Sequence, residues 1–277
     1  MKKNTKRIIL VIVIILVLAG AYLAINSGSS KVEIVGSTSV QPVAEKLVEK
    51  YKETHPDAQI NVQGGGSSVG IKSAQDGTAD IGTSSKALKK NESQGLTQIP
   101  LGQDGIVIAV NTENSVDGVT SEQLKDIFSG KITNWKEVGG SDGKINVIRR
   151  EDGSGTLDAF ESIVMGKDTK IKSDAVVQSS TEAVKQSVKT DENAIGFVSY
   201  AHMSSDVKAL KIDGVSPSDD TIADGSYKLQ RPFLFLVKGT PNQATQDFLN
   251  FVNSREGQKV LKDEKIVQAS NNTNSSQ

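Results

Sequence analysis

Short apolar strands alternate with amphipathic helices along most of this 277-residue chain. That alternation is the strongest constraint on what it can fold into. Parallel strands need a crossover between them and a helix supplies it, so the pattern points to an α/β fold with mostly parallel sheets flanked by helices. Strands are expected at Val32–Val35, Ile60–Val62, Ala79–Gly82, Ile106–Val110, Ile145–Ile148, Ala194–Val198 and Phe233–Val237. Helices are expected over Gln41–Thr54, with Pro42 in the first turn where proline is tolerated, from Val69, from the Thr120 cap to Phe128, and over Leu157–Met165, Glu182–Val188, Gln243–Val252 and Glu256–Leu261.

Four of the strand-to-helix turns are built from glycine and hydroxyl residues: 36–39, 64–68, 82–85 and 153–156. In open α/β sheets, ligands bind outside the carboxyl ends of the strands. A helix start offers unpaired backbone N–H groups and the positive end of the peptide dipoles. Glycine lets that backbone approach a ligand, and Ser and Thr add donors. The fourth turn follows Arg149-Arg150, and a guanidinium is a fixed cationic fork. Four such turns converging would hold one oxyanion.

The chain has no cysteine, which excludes disulfides, thiol catalysis, Cys-ligated zinc and a lipid-modified N-terminal cysteine. Setting aside Lys2, Lys3, Lys6 and Arg7 at the basic N-terminus leaves 28 basic against 33 acidic residues. With only 4% aromatic residues, such a body has neither the charge nor the stacking platforms for nucleic acid. Sites for nucleotide (a Gly-Lys-Ser/Thr loop) or metal (clustered His, Asp and Glu) are absent from the sequence, and no cofactor is expected. After the basic flank, Ile8–Leu18 is unbroken Ile, Leu and Val, and the apolar run reaches Ile25 at 18 residues. With the Ala19-x-Ala21 pattern, residues 1–25 read as a secretory signal peptide or, at nearly the ~20 residues needed to span a bilayer, as an N-terminal membrane anchor. Both place the body outside the cell membrane, anchored by residues 8–25 or secreted after cleavage, with no other membrane contact. Residues 26–31 read as a linker and 268–277 as a disordered tail.

The ordered set of turns resembles the phosphate-binding subunit of ABC transporters, the PstS family. Gly36-Ser37-Thr38-Ser39-Val40-Gln41-Pro42, Gly66-Ser67-Ser68-Val69-Gly70, Asp80-Ile81-Gly82-Thr83-Ser84-Ser85 and Arg149-Arg150-Glu151-Asp152-Gly153-Ser154-Gly155-Thr156 are similar to its ligand loops. The 124–135 and 196–200 segments are similar to its scaffold, and the likeness runs from Val32 to Val267. The resemblance implies a two-lobed periplasmic-binding-protein fold (type II-like), with lobe 1 at 32–108 plus 236–267, lobe 2 at 109–235, and crossovers at Ile106–Asn111 and Phe233–Lys238. It implies a monomer that binds inorganic phosphate and delivers it to ABC permease subunits with a cytoplasmic ATPase. It also implies phosphate contacts from Thr38, Ser39, Ser67, Ser85, Arg150, Ser154, Gly155 and Thr156, with Asp152 holding Arg150. Arg149 and Arg150 are neighbours on an extended segment and point to opposite faces, and the family pattern selects Arg150. Much of the family has an aspartate where this chain has Ser85, and that carboxylate accepts the proton of the phosphate. Ser85 adds no charge to repel a fully ionised rival. Asp104 is read as a solvated loop residue or else as the missing carboxylate.

Two rival readings stand beside this one. Gly66-Ser67-Ser68-Val69-Gly70 matches the nucleophile elbow of serine hydrolases, with Ser68 as nucleophile and His202 as its partner. A membrane-tethered anion sensor could also use the same fold.

Overall fold

A computed structural model describes residues 31–268 of the chain. The expected leader or anchor, most of the linker and the tail beyond Gln268 lie outside the described residues. Within them no helix is long and apolar enough to cross a membrane.

The first third is three turns of the strand–helix alternation. Strand β1 (Val32–Gly36) leads to α1 (Gln41–Lys52), β2 (Ile60–Gly64) to α2 (Ser67–Asp76), and β3 (Ile81–Ser84) to an irregular segment. Helix α1 buries Val43, Ala44, Leu47, Val48 and Tyr51, the stripe its spacing predicts. The long β4 (Leu96–Val110) follows, then β5 (Gly118–Val119), α3 (Ser121–Ser129), β6 (Asn146–Arg150), α4 (Gly155–Phe160) and β7 (Val176–Gln178). Helix α5 (Thr181–Thr190), β8 (Ala194–Ser199), the short β9 (Lys208–Ala209) and β10 (Lys211–Ile212), and α6 (Asp219–Ala223) come next. Strand β11 (Gln230–Lys238), α7 (Gln243–Val252) and α8 (Arg255–Asp263) close the described chain.

Among the described residues the main sheet runs β2-β1-β3-β11-β4-β8-β6-β7, with β9 on β4. Its two flanks, β2-β1-β3 and β8-β6-β7, are parallel, whereas β11 and β4 run antiparallel to each other and to their neighbours. This is the expected two-lobed α/β arrangement. Each flank has its own apolar core: Ile34, Leu47, Phe235 and Phe248 belong to one, and Phe128, Phe160, Phe197 and Trp135 to the other. Trp135 is a packing residue, buried with its Nε1–H donated to the Asn193 carbonyl at 3.1 Å.

Strand β4 is fifteen residues long rather than the five expected, and its first half is where periodicity fails. Leu96–Gly105 mixes Thr97, Gln98, Gln103 and Asp104 with apolar residues because it pairs with β11 at the junction of the two halves. Ile106 and Ile108 already pack in the second core and Phe233 and Phe235 in the first. The strands therefore pass between the cores several residues before the expected crossover points. A register shift at Phe233/Leu234 bends the pair there.

Asp104 is neither a solvated loop residue nor a free carboxylate. It is fully buried on β4, opposite Arg231 of β11. Its Oδ2 accepts Arg231 Nε and Nη2 at 3.2 and 3.0 Å, and its Oδ1 accepts Ser199 Oγ at 2.7 Å and the Ala201 N–H at 3.2 Å.

Candidate anion-binding site

Strand register brings three of the four turns together. Gly36 pairs with Gly64 on one side and Thr83 on the other, so the carboxyl ends of β1, β2 and β3 lie side by side. The fourth turn, after β6, comes from the other half of the molecule and meets them face to face. The Ser68 N–H donates to the Gly153 carbonyl at 3.1 Å, and the Ser39 and Thr156 hydroxyls are 3.0 Å apart.

Arg150 is at the centre. It is 1% exposed although it ends a strand, and four of its five guanidinium N–H groups are engaged. Nε and Nη2 each donate to a Glu151 carboxylate oxygen at 2.8 Å, Nη1 to Thr181 Oγ1 at 3.0 Å, and Nη2 also to Thr38 Oγ1 at 3.0 Å. The expected support from Asp152 is corrected. Asp152 accepts from Arg149 Nη1 at 3.0 Å and is largely exposed, whereas Glu151 holds Arg150 with two parallel hydrogen bonds. The extended backbone alternates Arg149 outward and Arg150 inward, and Glu151, the first residue past the strand, is the one that meets the guanidinium.

Around the arginine lies a shell of buried hydroxyls. Ser39, Ser67, Ser85, Ser154 and Thr156 are all at most 1% exposed, as Arg150 is. Ser85 Oγ accepts from Ser37 Oγ at 2.9 Å and lies 3.3 Å from Ser67 Oγ, and its N–H donates to Ser67 Oγ at 3.1 Å. A methyl group added at Gly155 would sit 2.2 Å from Ser67 Oγ and 2.8 Å from Ser85 Oγ, so only glycine lets the β6 turn reach the β3 turn this closely. Thr38, Ser39, Ser67, Ser85, Gly155 and Thr156 therefore lie together around Arg150, while Ser154 Oγ accepts the Leu157 N–H at 3.3 Å as the cap of the same turn.

Thr181 was missed. Its Oγ1 is 2.8 Å from Ser39 Oγ and is fully buried beside Arg150. The signal was present: Gln178-Ser179-Ser180-Thr181 is a fifth hydroxyl-rich strand-to-helix turn, after the short exposed β7.

Capping separates the site from the rest of the molecule. Six described α-helices start with a side-chain cap: Thr120, Ser154, Ser180, Ser218, Asn242 and Ser254 accept the hydrogen bond. The two without one are α1 and α2, whose N-caps are Val40 and Gly66. Both start at the convergence, where Ser37 Oγ takes the Ser39 and Val40 N–H groups at 3.2 and 3.4 Å and the Gly153 carbonyl takes the Ser68 N–H, so groups of the turns themselves stand in for the usual cap. Gly66 sits at φ 92°, a backbone angle that glycine adopts at little cost.

The hydrolase arrangement does not form. His202 Nε2 is 3.1 Å from the Ser39 carbonyl and His55 stacks on Tyr51 at 4.1 Å, so neither histidine serves Ser68. Among the described residues no three acidic or histidine side chains are grouped to hold a metal ion.

Burial pushes the His202 imidazole below its ordinary pKa, with the Ser39 carbonyl and the more distant Asp104 opposing that shift. A depressed pKa means the unfolded chain binds the proton more readily. The stability that neutral His202 contributes is complete above pH ~6.5 and is lost as pH falls below it toward the lowered value. Thermal melts from pH 7.5 to 5.5 should show a smaller acid-side loss for His202→Gln than for the wild type. Equal slopes would remove His202 from the acid sensitivity.

A PBP superfamily domain matches residues 24–256. The phosphate-binding protein PstS of Bacillus subtilis is 32% identical over 240 residues, covering 85% of this chain and 79% of that protein. A solved structure from Clostridium perfringens, described as a phosphate ABC transporter substrate-binding protein with bound phosphate, is 40% identical. It superposes with a TM-score of 0.84 over 87% of this chain and all of that one. An ABC-type phosphate transport receptor from Vibrio cholerae is 37% identical, with a TM-score of 0.71 over 86% of this chain and all of its own.

Proposed function

The chain belongs to the PstS family of phosphate-binding proteins within the PBP superfamily, and from that premise we propose that it captures inorganic phosphate outside the cytoplasm and delivers it to an ABC-type importer. It is a binding protein and not an enzyme. The observation that carries the reading is the buried Arg150 guanidinium amid hydroxyls from both halves of the fold.

Phosphate is held between two lobes joined by β4 and β11, by Thr38, Ser39, Ser67, Ser85, Arg150, Ser154, Gly155 and Thr156, with Thr181 added. The lobes divide where the two strands leave one core for the other, at about residues 101–106 and 229–233. Closure replaces water around the anion with fixed donors. Glu151 balances the Arg150 charge, so the pocket meets a dianion chiefly with N–H and O–H dipoles rather than net charge. The closed monomer then docks on permease subunits served by a cytoplasmic ATPase. Residues 8–25 tether it to the outer face of the membrane or are removed with the leader.

Selectivity rests on Ser85. With hydroxyls on both sides of Ser85 and the Glu151 carboxylate committed to Arg150, the site does not require a proton on the anion. Ser85→Asp should therefore weaken sulfate competition by at least about 10-fold relative to phosphate, since a carboxylate accepts the phosphate proton but repels sulfate. Unchanged competition would take Ser85 out of the selectivity position.

A further inference from the structure

Residue Lys86 follows Ser85 directly, and Asp158 lies two residues after Thr156, so each is tied through the backbone to a ligand turn of a different lobe. Their side chains meet across the cleft at 2.5 Å. The Lys86 ammonium also donates to Glu92, of its own lobe, at 2.8 Å. Its side chain is only 6% exposed. Burial opposes its charge, but hydrogen bonds to Asp158 and Glu92 prevail and raise its pKa above the ordinary lysine value.

Among the described residues this is the one ion pair that joins the first three strand–helix units to the second lobe, apart from Asp104–Arg231 on the crossover strands themselves. The pair borders a cavity of about 440 Å³ lined from both lobes by Leu88, Ile163 and Pro232, so packing does not fill that side of the cleft. The ion pair bridges it instead. When the lobes separate, Lys86 keeps Glu92 and loses Asp158. A charged hydrogen bond is thus present only in the closed form, and it biases the closure equilibrium by its full differential strength.

We propose that Lys86 and Asp158 form an electrostatic latch that sets how long the cleft stays shut on its anion. Asp158 touches no ligand; it is a positioning residue that acts through Lys86 on the two ligand turns. The proposal rests on the reading of a cleft that closes on phosphate, and its test separates the two.

The absence of cysteine allows a fluorophore pair to be placed at Lys72→Cys and Lys167→Cys, both exposed and one on each lobe. Energy transfer in the full chain then reports the closed fraction with and without inorganic phosphate, and stopped flow reports phosphate release. Asp158→Asn should lower the closed fraction at subsaturating phosphate and speed release about 10-fold, the scale of one charge-assisted hydrogen bond. Asp158→Glu should restore most of the wild-type rate, which distinguishes the charge from a structural role. A melting temperature that Asp158→Asn leaves unchanged without phosphate is part of the expected result. Wild-type closure and release rates in Asp158→Asn would overturn the latch. If phosphate leaves the wild type unaltered, the ligand assignment fails, and the latch is judged by the ligand-free closed fraction: a fall in Asp158→Asn supports it and no change overturns it.

Discussion

A chain carrying Arg150→Ala binds phosphate at least about 100-fold more weakly than the wild type. The loss has two parts that act in the same direction. The first is the charge-assisted hydrogen bond of the remaining Nη1 N–H, donated from a side chain that is 1% exposed, where little solvent remains to substitute for it. The second is Glu151, whose carboxylate is neutralised by two 2.8 Å hydrogen bonds from Arg150 and would be left bare beside the anion. Truncating one member of a buried charged pair costs about 2–5 kcal/mol or more, much of it from the group left behind. Here that group also repels the ligand, so about 3–5 kcal/mol is expected. The double variant Arg150→Ala, Glu151→Gln separates the parts and should recover about a tenfold in affinity relative to Arg150→Ala, as removal of one unpaired charge requires. Calorimetry on the two variants and the wild type measures both terms. Equal affinities in the single and double variants would show that Glu151 is not felt at the ligand.

Asp104→Ala should be the most damaging change to the fold. Arg231 is 2% exposed, and its Nη1 already lacks a hydrogen-bond partner among the described residues. The guanidinium rests over the Phe233 ring at 5.4 Å, which offsets little of a missing carboxylate. Without Asp104, a full charge stays buried at the junction of both lobes, and Ser199 Oγ and the Ala201 N–H lose their acceptor. Breaking such a pair costs about 3–5 kcal/mol. For a body of this size that is a fall in melting temperature of roughly 6–20 °C. Asp104→Leu with Arg231→Met, which removes both charges while keeping volume, should recover most of it. A single-variant loss under about 1 kcal/mol would mean that water reaches the pair.

The parts of this architecture legible in the sequence were those with local causes. The strand–helix alternation follows from periodicity, and Gln243–Val252 was read to the residue because Asn242 caps it and its apolar face is regular. The ligand turns were legible because glycine and hydroxyls recur at the carboxyl ends of strands, a local chemical signature with a positional meaning. Glu151 was passed over for Asp152 because the choice depends on where an extended strand ends and a turn begins, a one-residue matter that composition does not carry. Thr181 follows β7, an exposed three-residue strand too short for its periodicity to register. The Asp104–Arg231 pair was invisible for a different reason. Its members are 127 residues apart, and only the register of β4 against β11 makes them partners. Polar residues in the half-exposed first half of β4 hid that stretch of strand from a reading that looks for apolar runs.

On the proposed function, four turns from two lobes converge on one phosphate. Calorimetric titration of the wild-type protein with phosphate, sulfate, arsenate and molybdate tests it directly. Saturable binding of phosphate at one site per chain, lost in Arg150→Ala, is the predicted result. Absence of phosphate binding, or binding that Arg150→Ala leaves intact, would contradict it.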